Sequence, residues 1–360
     1  MNASPTQRPA SANGGRIRRR LLPLLAVAVM AIVIPAPAQA LVINPTFETG
    51  LSTAAEAVIN TAIGFYESTF SNNITVNIDF HNMTSGLGAS GSALYGVSYA
   101  DYKSLLTANA TSANDATAVA HLPTAVPGGD LLIKSADARA VGFSGTPGYD
   151  LSFYQNADGS SFCSFTGDGC IGLNVSNTTT GGGAYSLLNT VEHEIDEVLG
   201  LGSSLYSYKA IDGSIQGAIL GGLMSPEDLF RYSAGSPNFQ LNACNSSTPL
   251  AYFSINGGAN ALDYFNNCNN LGDYGDWVTH TPSQVQDAFT NGTGASGLKV
   301  GLAEVTALDA IGYTLKQQTT VPEPAGVALF GVGFTGLFMA RRRAQIKKAP
   351  RLDSQAAILM

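Results

Sequence analysis

Lysine and arginine are scarce in the central part of the sequence. Residues 41–324 contain seven basic and 25 acidic residues, a net charge of −18, whereas the whole 360-residue chain carries −8. A surface this acidic repels nucleic acid and anionic membranes, and it favours solubility and cation binding. We therefore expect no nucleic-acid partner, and we interpret most of these charges as the solvated surface of an exported protein.

Cysteine is also rare. None of the four cysteines has the C-x-x-C spacing of a zinc–thiolate site, which argues against such a site. Cys163 lies close in sequence to Cys170, and Cys244 lies close to Cys268. Thiols usually oxidise after export, so we predict two local disulfides, although four cysteines allow three connectivities.

No apolar run is long enough to be a good membrane span. The run at 21–34 follows five arginines and precedes A-Q-A at 38–40, so residues 1–40 are predicted to be a signal peptide. The run at 325–340 is marginal, and the arginines at 341–343 would remain cytoplasmic. The expected folded domain is therefore 41–313, followed by a linker at 314–324, a membrane helix with arginines at 325–343 and a basic tail at 344–360.

The hydrophobic periodicity of the central part predicts a mixed α+β domain without internal repeats. It predicts helices at 51–70, 99–110, 115–122, 135–142 and 301–311, strands at 74–80 and 93–98, a short apolar stretch at 131–134, and a hairpin at 251–265. Residues 149–154 are predicted to form an edge strand paired with 170–175. The glycine-rich stretches 86–92 and 213–222 are predicted to be loops.

One predicted helix, from about residue 184 to a glycine at 200, carries a metal-binding pattern. His193 and Glu197 are four residues apart and project from one face, so they supply two ligands for a divalent metal. Glu194 lies beside them and can take a proton from water. The pattern is H-E-x-x-H with glutamate in place of the second histidine. The alternative is a core histidine beside solvated carboxylates, and the apolar face and terminal glycine favour the metal site.

The C-terminal region resembles the PEP-CTERM sorting signal. It has V-P-E-P at 321–324, a short apolar run and an arginine cluster, in that order. The resemblance implies a Gram-negative bacterium whose exosortase removes the signal after transient anchoring in the inner membrane. It also implies a protein in the periplasm, on the outer surface or released from the cell, associated with exopolysaccharide.

The central part resembles metzincin-like metalloproteases. Their helix reads H-E-I-G-H-x-L-G-F-x-S, and residues 193–203 read H-E-I-D-E-V-L-G-L-G-S. The resemblance implies a zincin-like fold with a twisted mixed sheet and an active-site helix, in which His193 and Glu197 bind Zn²⁺ and Glu194 is the general base. Further similarities, in the same order, are A-R-A-V-G at 138–142, D-L-F-R-Y-S at 228–233, F-S-I-N-G-G at 253–258, the Gly-Asp stretch ending at 277, and L-D-A-I-G-Y at 308–313.

The third ligand departs from the family pattern. Asp276 stands where relatives often carry a histidine, and Ser203 stands where other metzincins place their third histidine. One histidine and two carboxylates make a harder site than a zinc protease prefers, so Ca²⁺ is the alternative metal. His280 is the rival third ligand, and the remaining candidates are Asp212, Glu227 and Asp228.

Three functional hypotheses follow. The first is a secreted zinc metallopeptidase that holds a protein or peptide substrate along the edge strand at 149–154. The second is a non-catalytic relative that uses the same residues in a structural or calcium-binding cluster and serves as a matrix protein. The third is a carbohydrate-binding module, which depends only on the exopolysaccharide context and the tyrosine and asparagine content.

Overall fold

The computed structural model describes residues 40–144, 149–150, 167–178, 185–209, 215–219, 222–233, 251–266, 272–290, 297–299, 301–316 and Arg341. The helices are α1 (Thr53–Thr69), α2 (Tyr99–Asn109), α3 (Ala113–Ala120), α4 (Ser135–Val141), α5 (Leu187–Leu199) and α6 (Ala303–Ile311). The first seven strands are β1 (Val42–Phe47), β2 (Thr75–Asn82), β3 (Gly88–Ser92), β4 (Leu94–Ser98), β5 (Asp130–Lys134), β6 (Tyr149–Asp150) and β7 (Gly169–Leu173). The remaining strands are β8 (Leu205–Lys209), β9 (Ile215–Ile219), β10 (Arg231–Tyr232), β11 (Tyr252–Phe253) and β12 (Asp263–Tyr264).

The main sheet is mixed and has the strand order β1-β2-β7-β3. Strands β1, β2 and β7 run parallel, and β3 pairs antiparallel with β7 at the edge. In the described part of the chain, three smaller sheets have the orders β5-β4-β6, β10-β11-β12 and β8-β9. The predicted α+β class is confirmed.

The core lies where α1 and α5 pack beside the main sheet. In β2, Val76, Ile78 and Phe80 are fully buried because side chains alternate between the two faces of a strand. Helix α1 contributes Tyr66, which is also fully buried, and its hydroxyl donates to the Glu192 carbonyl at 2.6 Å and to Asp196 Oδ1 at 2.9 Å. These bonds connect the first helix to the helix that carries the metal-binding pattern.

Two stretches predicted to be loops contain strands. Residues 88–92 form β3, although their sequence is G-A-S-G-S, and residues 215–219 form β9, which pairs with β8. Strand β3 is formed through its hydrogen-bonded partner β7, since its own residues have low intrinsic strand preference. Glycine also allows close approach, because a Cβ at Gly88 would lie 2.7 Å from Thr190 Cγ2 of α5.

The predicted pairing of 149–154 with 170–175 is wrong. Strand β6, the described part of the first stretch, pairs with β4, whereas β7 pairs with β2 and β3. Both stretches have the alternation of strands, but alternation does not identify the partner strand.

Several predictions concern residues outside the described part of the chain. They include residues 1–39 of the predicted signal peptide, Cys163, Cys244, Cys268 and the C-terminal apolar run. The domain boundaries and both disulfides therefore stay predictions. Within the described residues, no helix has both the length and the apolar character needed to cross a bilayer.

The contact between α3 and α6 leads to a testable pH dependence. Ser112 Oγ donates to Asp309 Oδ2 at 2.8 Å, and Asp309 is fully buried. Burial, with the nearby Asp115 charge, raises the pKa of Asp309 from 3.8 to about 7. Because the folded state holds this proton more tightly than the unfolded state, stability falls as the pH rises through this range.

We expect Asp309→Asn to flatten this pH dependence. Between about pH 5 and pH 8, the free energy of unfolding should decrease in both proteins. The decrease should be about 2–4 kcal/mol smaller in the variant than in the wild type. Urea unfolding across this range measures the difference, with the exposed Asp101→Asn as control. Parallel plots of unfolding free energy against pH for Asp309→Asn and the wild type would contradict the raised pKa of Asp309.

Candidate metal centre

Helix α5 presents His193, Glu194 and Glu197 to a cleft because its opposite face is buried. Ser186 caps its N-terminus by accepting from the Asn189 backbone N–H at 3.4 Å. At the other end, Lys134 Nζ donates to the carbonyls of Glu197 and Leu201 at 2.5 Å each. A cation at this end of the helix also interacts favourably with the negative end of the helix dipole. The buried apolar residues of α5 are Leu187, Val191, Ile195, Val198 and Leu199.

The cleft, called the main cleft below, has a volume of about 770 Å³. It lies between α5, strand β3, the segment 272–276 and a wall segment formed by residues 284–290. Its aromatic lining residues Tyr185 and Phe289 are 42% and 45% exposed, which is high for large hydrophobic side chains. A cleft with open aromatic and carboxylate side chains is typical of a binding site.

The structure brings the three predicted metal ligands together. One donor atom from each of His193, Glu197 and Asp276 lies within 4.8 Å of the other two. His193 Nε2 is 3.6 Å from Glu197 Oε1 and 3.8 Å from Asp276 Oδ1. Donor atoms bound to one ion at about 2.0–2.2 Å are separated by similar distances, so the three residues fit a divalent metal with a position left for water.

His193 is oriented by the wall segment. Its Nδ1 bonds with the Val285 backbone carbonyl at 2.9 Å, which requires the proton on Nδ1 and leaves Nε2 as the donor atom. Burial by itself lowers the pKa of His193, but the charges of Asp276, Glu197 and Glu194 outweigh burial and raise it well above 6.5. A metal ion that binds Nε2 competes with a proton for this atom.

The two carboxylates are held by different neighbours. Ser90 Oγ of β3 donates to Glu197 Oε2, and Gln286 Nε2 donates to Asp276 Oδ1 at 3.0 Å. Burial raises the pKa of Glu197, but the bond and charge of His193 prevail and lower it to about 2. For Asp276, burial prevails over the attraction of His193 and raises the pKa well above 3.8. Glu197 is thus the ligand that is ionised most readily.

Glu194 has the environment of a proton-transfer group. It is 5% exposed, lines the main cleft and accepts no hydrogen bond from the described residues. Burial and the charge of Glu197 raise its pKa well above 4.5, although His193 lowers it. A buried carboxyl group with a raised pKa in a cleft is a candidate for proton transfer.

The other candidate ligands lie elsewhere. His280 lies between two carboxylates, with Nδ1 2.6 Å from Asp287 Oδ1 and Nε2 3.2 Å from Asp263 Oδ1. Ser203 Oγ donates to Asp228 Oδ1 at 2.6 Å, and Glu227 Oε2 accepts from the Gly202 backbone N–H at 2.5 Å. None of these residues belongs to the three-residue group, and Asp212 lies outside the described residues.

Sequence reasoning missed the residues that orient the ligands. Ser90, Val285 and Gln286 carry no local signal, since Ser90 lies in a stretch read as a loop and Val285 acts through its backbone carbonyl. Asp273 was also missed, since the sequence analysis names only the stretch that contains it. It lines the main cleft together with Glu197.

The close approach of β3 to α5 gives a second prediction. A Cβ at Gly88 would overlap Thr190 Cγ2 and the carboxylate of Glu194, so Gly88→Ala should displace Glu194 and lower the hydrolysis predicted from the sequence about tenfold or more. Gly64→Ala on α1 is the control, because its Cβ would meet nothing within 4 Å and should raise stability by up to about 1 kcal/mol. Thermal unfolding of both variants and assays of the predicted hydrolysis test this, and equal hydrolysis by Gly88→Ala and the wild type would contradict the placement of Glu194.

The PEP-CTERM protein-sorting motif matches residues 320–343 of the chain. This match confirms the sorting signal predicted at 321–343. It indicates that the protein is exported, sorted to the cell surface and processed by machinery of the exosortase type. No curated protein and no solved structure matches the chain. The metzincin-like resemblance of residues 41–313 therefore stays a prediction.

Proposed function

We propose that the protein is an exported, zincin-like metallopeptidase that acts outside the cytoplasm. The observation that carries this proposal is the convergence of His193, Glu197 and Asp276 beside Glu194 in one open cleft. The mixed sheet, with its antiparallel edge strand next to α5, is consistent with a zincin-like architecture. The sorting motif supports a site of action at the cell surface.

The chemistry follows from the positions of the side chains. His193, Glu197 and Asp276 would hold Zn²⁺, and the ion would supply the Lewis acidity that polarises a peptide carbonyl and acidifies water. Glu194 takes a proton from the attacking water and delivers it to the nitrogen of the leaving amine, as the C–N bond breaks and a C–O bond forms. Glu194 lines the same cleft as the three ligands, so it is placed for both transfers.

The substrate is held by β3 rather than by residues 149–154. Gly88, Ala89 and Ser90 line the main cleft, and β3 is the last strand of its sheet within the described part of the chain. The free edge of such a strand pairs with an extended peptide through backbone hydrogen bonds. The sequence alone assigns this role to 149–154, and β6, the described part of that stretch, belongs to a different sheet, with β4 and β5.

Metal analysis and a protease assay test the proposal. We expect the purified full-length chain to contain about one zinc ion per molecule and to cleave casein. A chelator should abolish cleavage, and added zinc should restore it. Cleavage that survives complete removal of metal would overturn the proposal, as would the absence of cleavage by zinc-loaded protein.

A second candidate function is a non-catalytic, metal-binding matrix protein associated with exopolysaccharide. The observation that favours it is the donor set, because two carboxylates and one imidazole are richer in oxygen than the usual zinc-protease site. On this hypothesis the protein binds Ca²⁺ and cleaves no peptide. Calorimetric titration with Zn²⁺ and Ca²⁺ separates the two functions, since tight zinc binding with weak calcium binding supports only the peptidase.

A further inference from the structure

An exposed carboxylate lines the main cleft. Asp273 is exposed and lines both the main cleft and a side cavity of about 240 Å³. Ser90 and Glu197 also line both spaces. Its carboxylate accepts no hydrogen bond from the described residues, and Asn266 Nδ2 donates instead to its backbone carbonyl at 3.0 Å. The carboxylate is therefore available to a ligand.

The backbone on both sides of Asp273 is fixed. The Phe289 ring packs against Gly272, where a Cβ would lie 2.7 Å from Phe289 Cε2. On the other side, Gly275 packs against the backbone of the loop after α5, where a Cβ would lie 2.6 Å from the Ser203 nitrogen. Asp273 thus keeps its position beside an aromatic ring that is 45% exposed.

The charges of the main cleft favour a cation. Its described lining residues include Glu194, Glu197, Asp273, Asp276 and Asp287, and no lysine or arginine. Asp287 is paired with His280, and Glu197 and Asp276 face His193. Asp273 is the exposed acidic residue among these. The charges of His193 and Lys134 act on it, but Lys134 Nζ is bonded to the Glu197 and Leu201 carbonyls.

We propose that Asp273 and Phe289 form a subsite that binds an arginine or lysine side chain of the peptide substrate. This inference depends on the proposed peptidase function. The aliphatic part of such a side chain packs on the Phe289 ring, and its charged end reaches the Asp273 carboxylate. Arginine is favoured over lysine, since its planar guanidinium can stack on the ring and donate two hydrogen bonds to one carboxylate.

Peptide binding tests the subsite without requiring cleavage. The zinc-loaded, full-length Glu194→Gln variant is titrated with fluorescent peptides that carry one arginine at successive positions, each matched by a peptide with neutral citrulline there. At one position we expect the arginine peptide to bind about tenfold more tightly. Adding Asp273→Asn should reduce the ratio of arginine-peptide to citrulline-peptide affinity to about twofold or less. Adding Asp273→Lys instead should reverse the preference, so that peptides with glutamate at this position bind more tightly. Asp101→Asn, exposed on α2, should leave the ratio unchanged.

The outcomes separate this inference from the proposed function. If the wild-type protein cleaves no peptide but Glu194→Gln shows an arginine preference that depends on Asp273, the peptidase proposal fails and the subsite remains. If peptides are cleaved but arginine and citrulline peptides bind equally, the subsite is overturned. A preference that survives Asp273→Asn, or no binding of either peptide, also overturns it.

Discussion

Replacing Glu194 with glutamine is expected to lower peptide hydrolysis by about 10²- to 10⁴-fold while the zinc content stays at one ion per molecule. Glutamine has nearly the shape of glutamate but cannot accept the proton of the attacking water. Glu194 also lies outside the group of three metal ligands, so the metal should remain bound. The variant therefore separates loss of the proton-transfer group from loss of the metal.

Three measurements complete this experiment. Metal analysis and thermal unfolding of Glu194→Gln show whether the site and the fold are intact, and a casein assay gives the rate. Glu56→Gln, on the first turn of α1, is the matched control and should keep full activity. Hydrolysis by Glu194→Gln at the wild-type rate would remove the proposed general base.

The local part of the site could be predicted from sequence because helical geometry links residues four apart. His193 and Glu197 share a face of α5 for this reason, and their pairing needs no knowledge of the remaining fold. Helices α1, α2 and α6 could likewise be predicted from their periodicity to within two residues at each end. Local patterns therefore identify elements and pairs of residues within one element.

Contacts between distant segments could not be predicted in the same way. Asp276 was chosen through a family resemblance, and it reaches His193 only because the segment 272–277 packs against the loop after α5. Ser90 reaches Glu197 because β3 lies along α5, yet the sequence of β3 indicates a loop. Strand partners depend on the whole sheet, and alternation within one strand does not specify them.

The segment that carries Asp276 depends on a buried arginine. Arg231 is fully buried, donates from Nε to Asp228 Oδ1 at 3.2 Å and donates from its guanidinium to the Tyr274 carbonyl. Its guanidinium carbon also lies 3.7 Å from the centre of the Phe265 ring. Tyr274 is two residues before Asp276, so Arg231 connects the short strand β10 to the metal centre.

Arg231→Met is therefore expected to weaken both the fold and the metal site. Removal of one partner of a buried ion pair leaves Asp228 without its cation, which should lower the free energy of unfolding by about 3–5 kcal/mol. Loss of the bond to Tyr274 frees the segment before Asp276, so zinc affinity should fall about 10- to 100-fold. Urea unfolding and zinc titration under conditions where the variant is still folded measure the two effects.

Arg139→Met is the matched control for Arg231→Met. Arg139 pairs with Asp168 at 2.7 Å, but its side chain is 33% exposed, so its loss should cost about 1 kcal/mol and leave zinc affinity unchanged. Equal zinc affinity in the wild type and in folded Arg231→Met would show that Asp276 is positioned without this arginine. A loss of affinity in Arg231→Met alone would mean that the metal centre depends on a side chain outside the main cleft, because that side chain fixes the backbone on which a ligand stands.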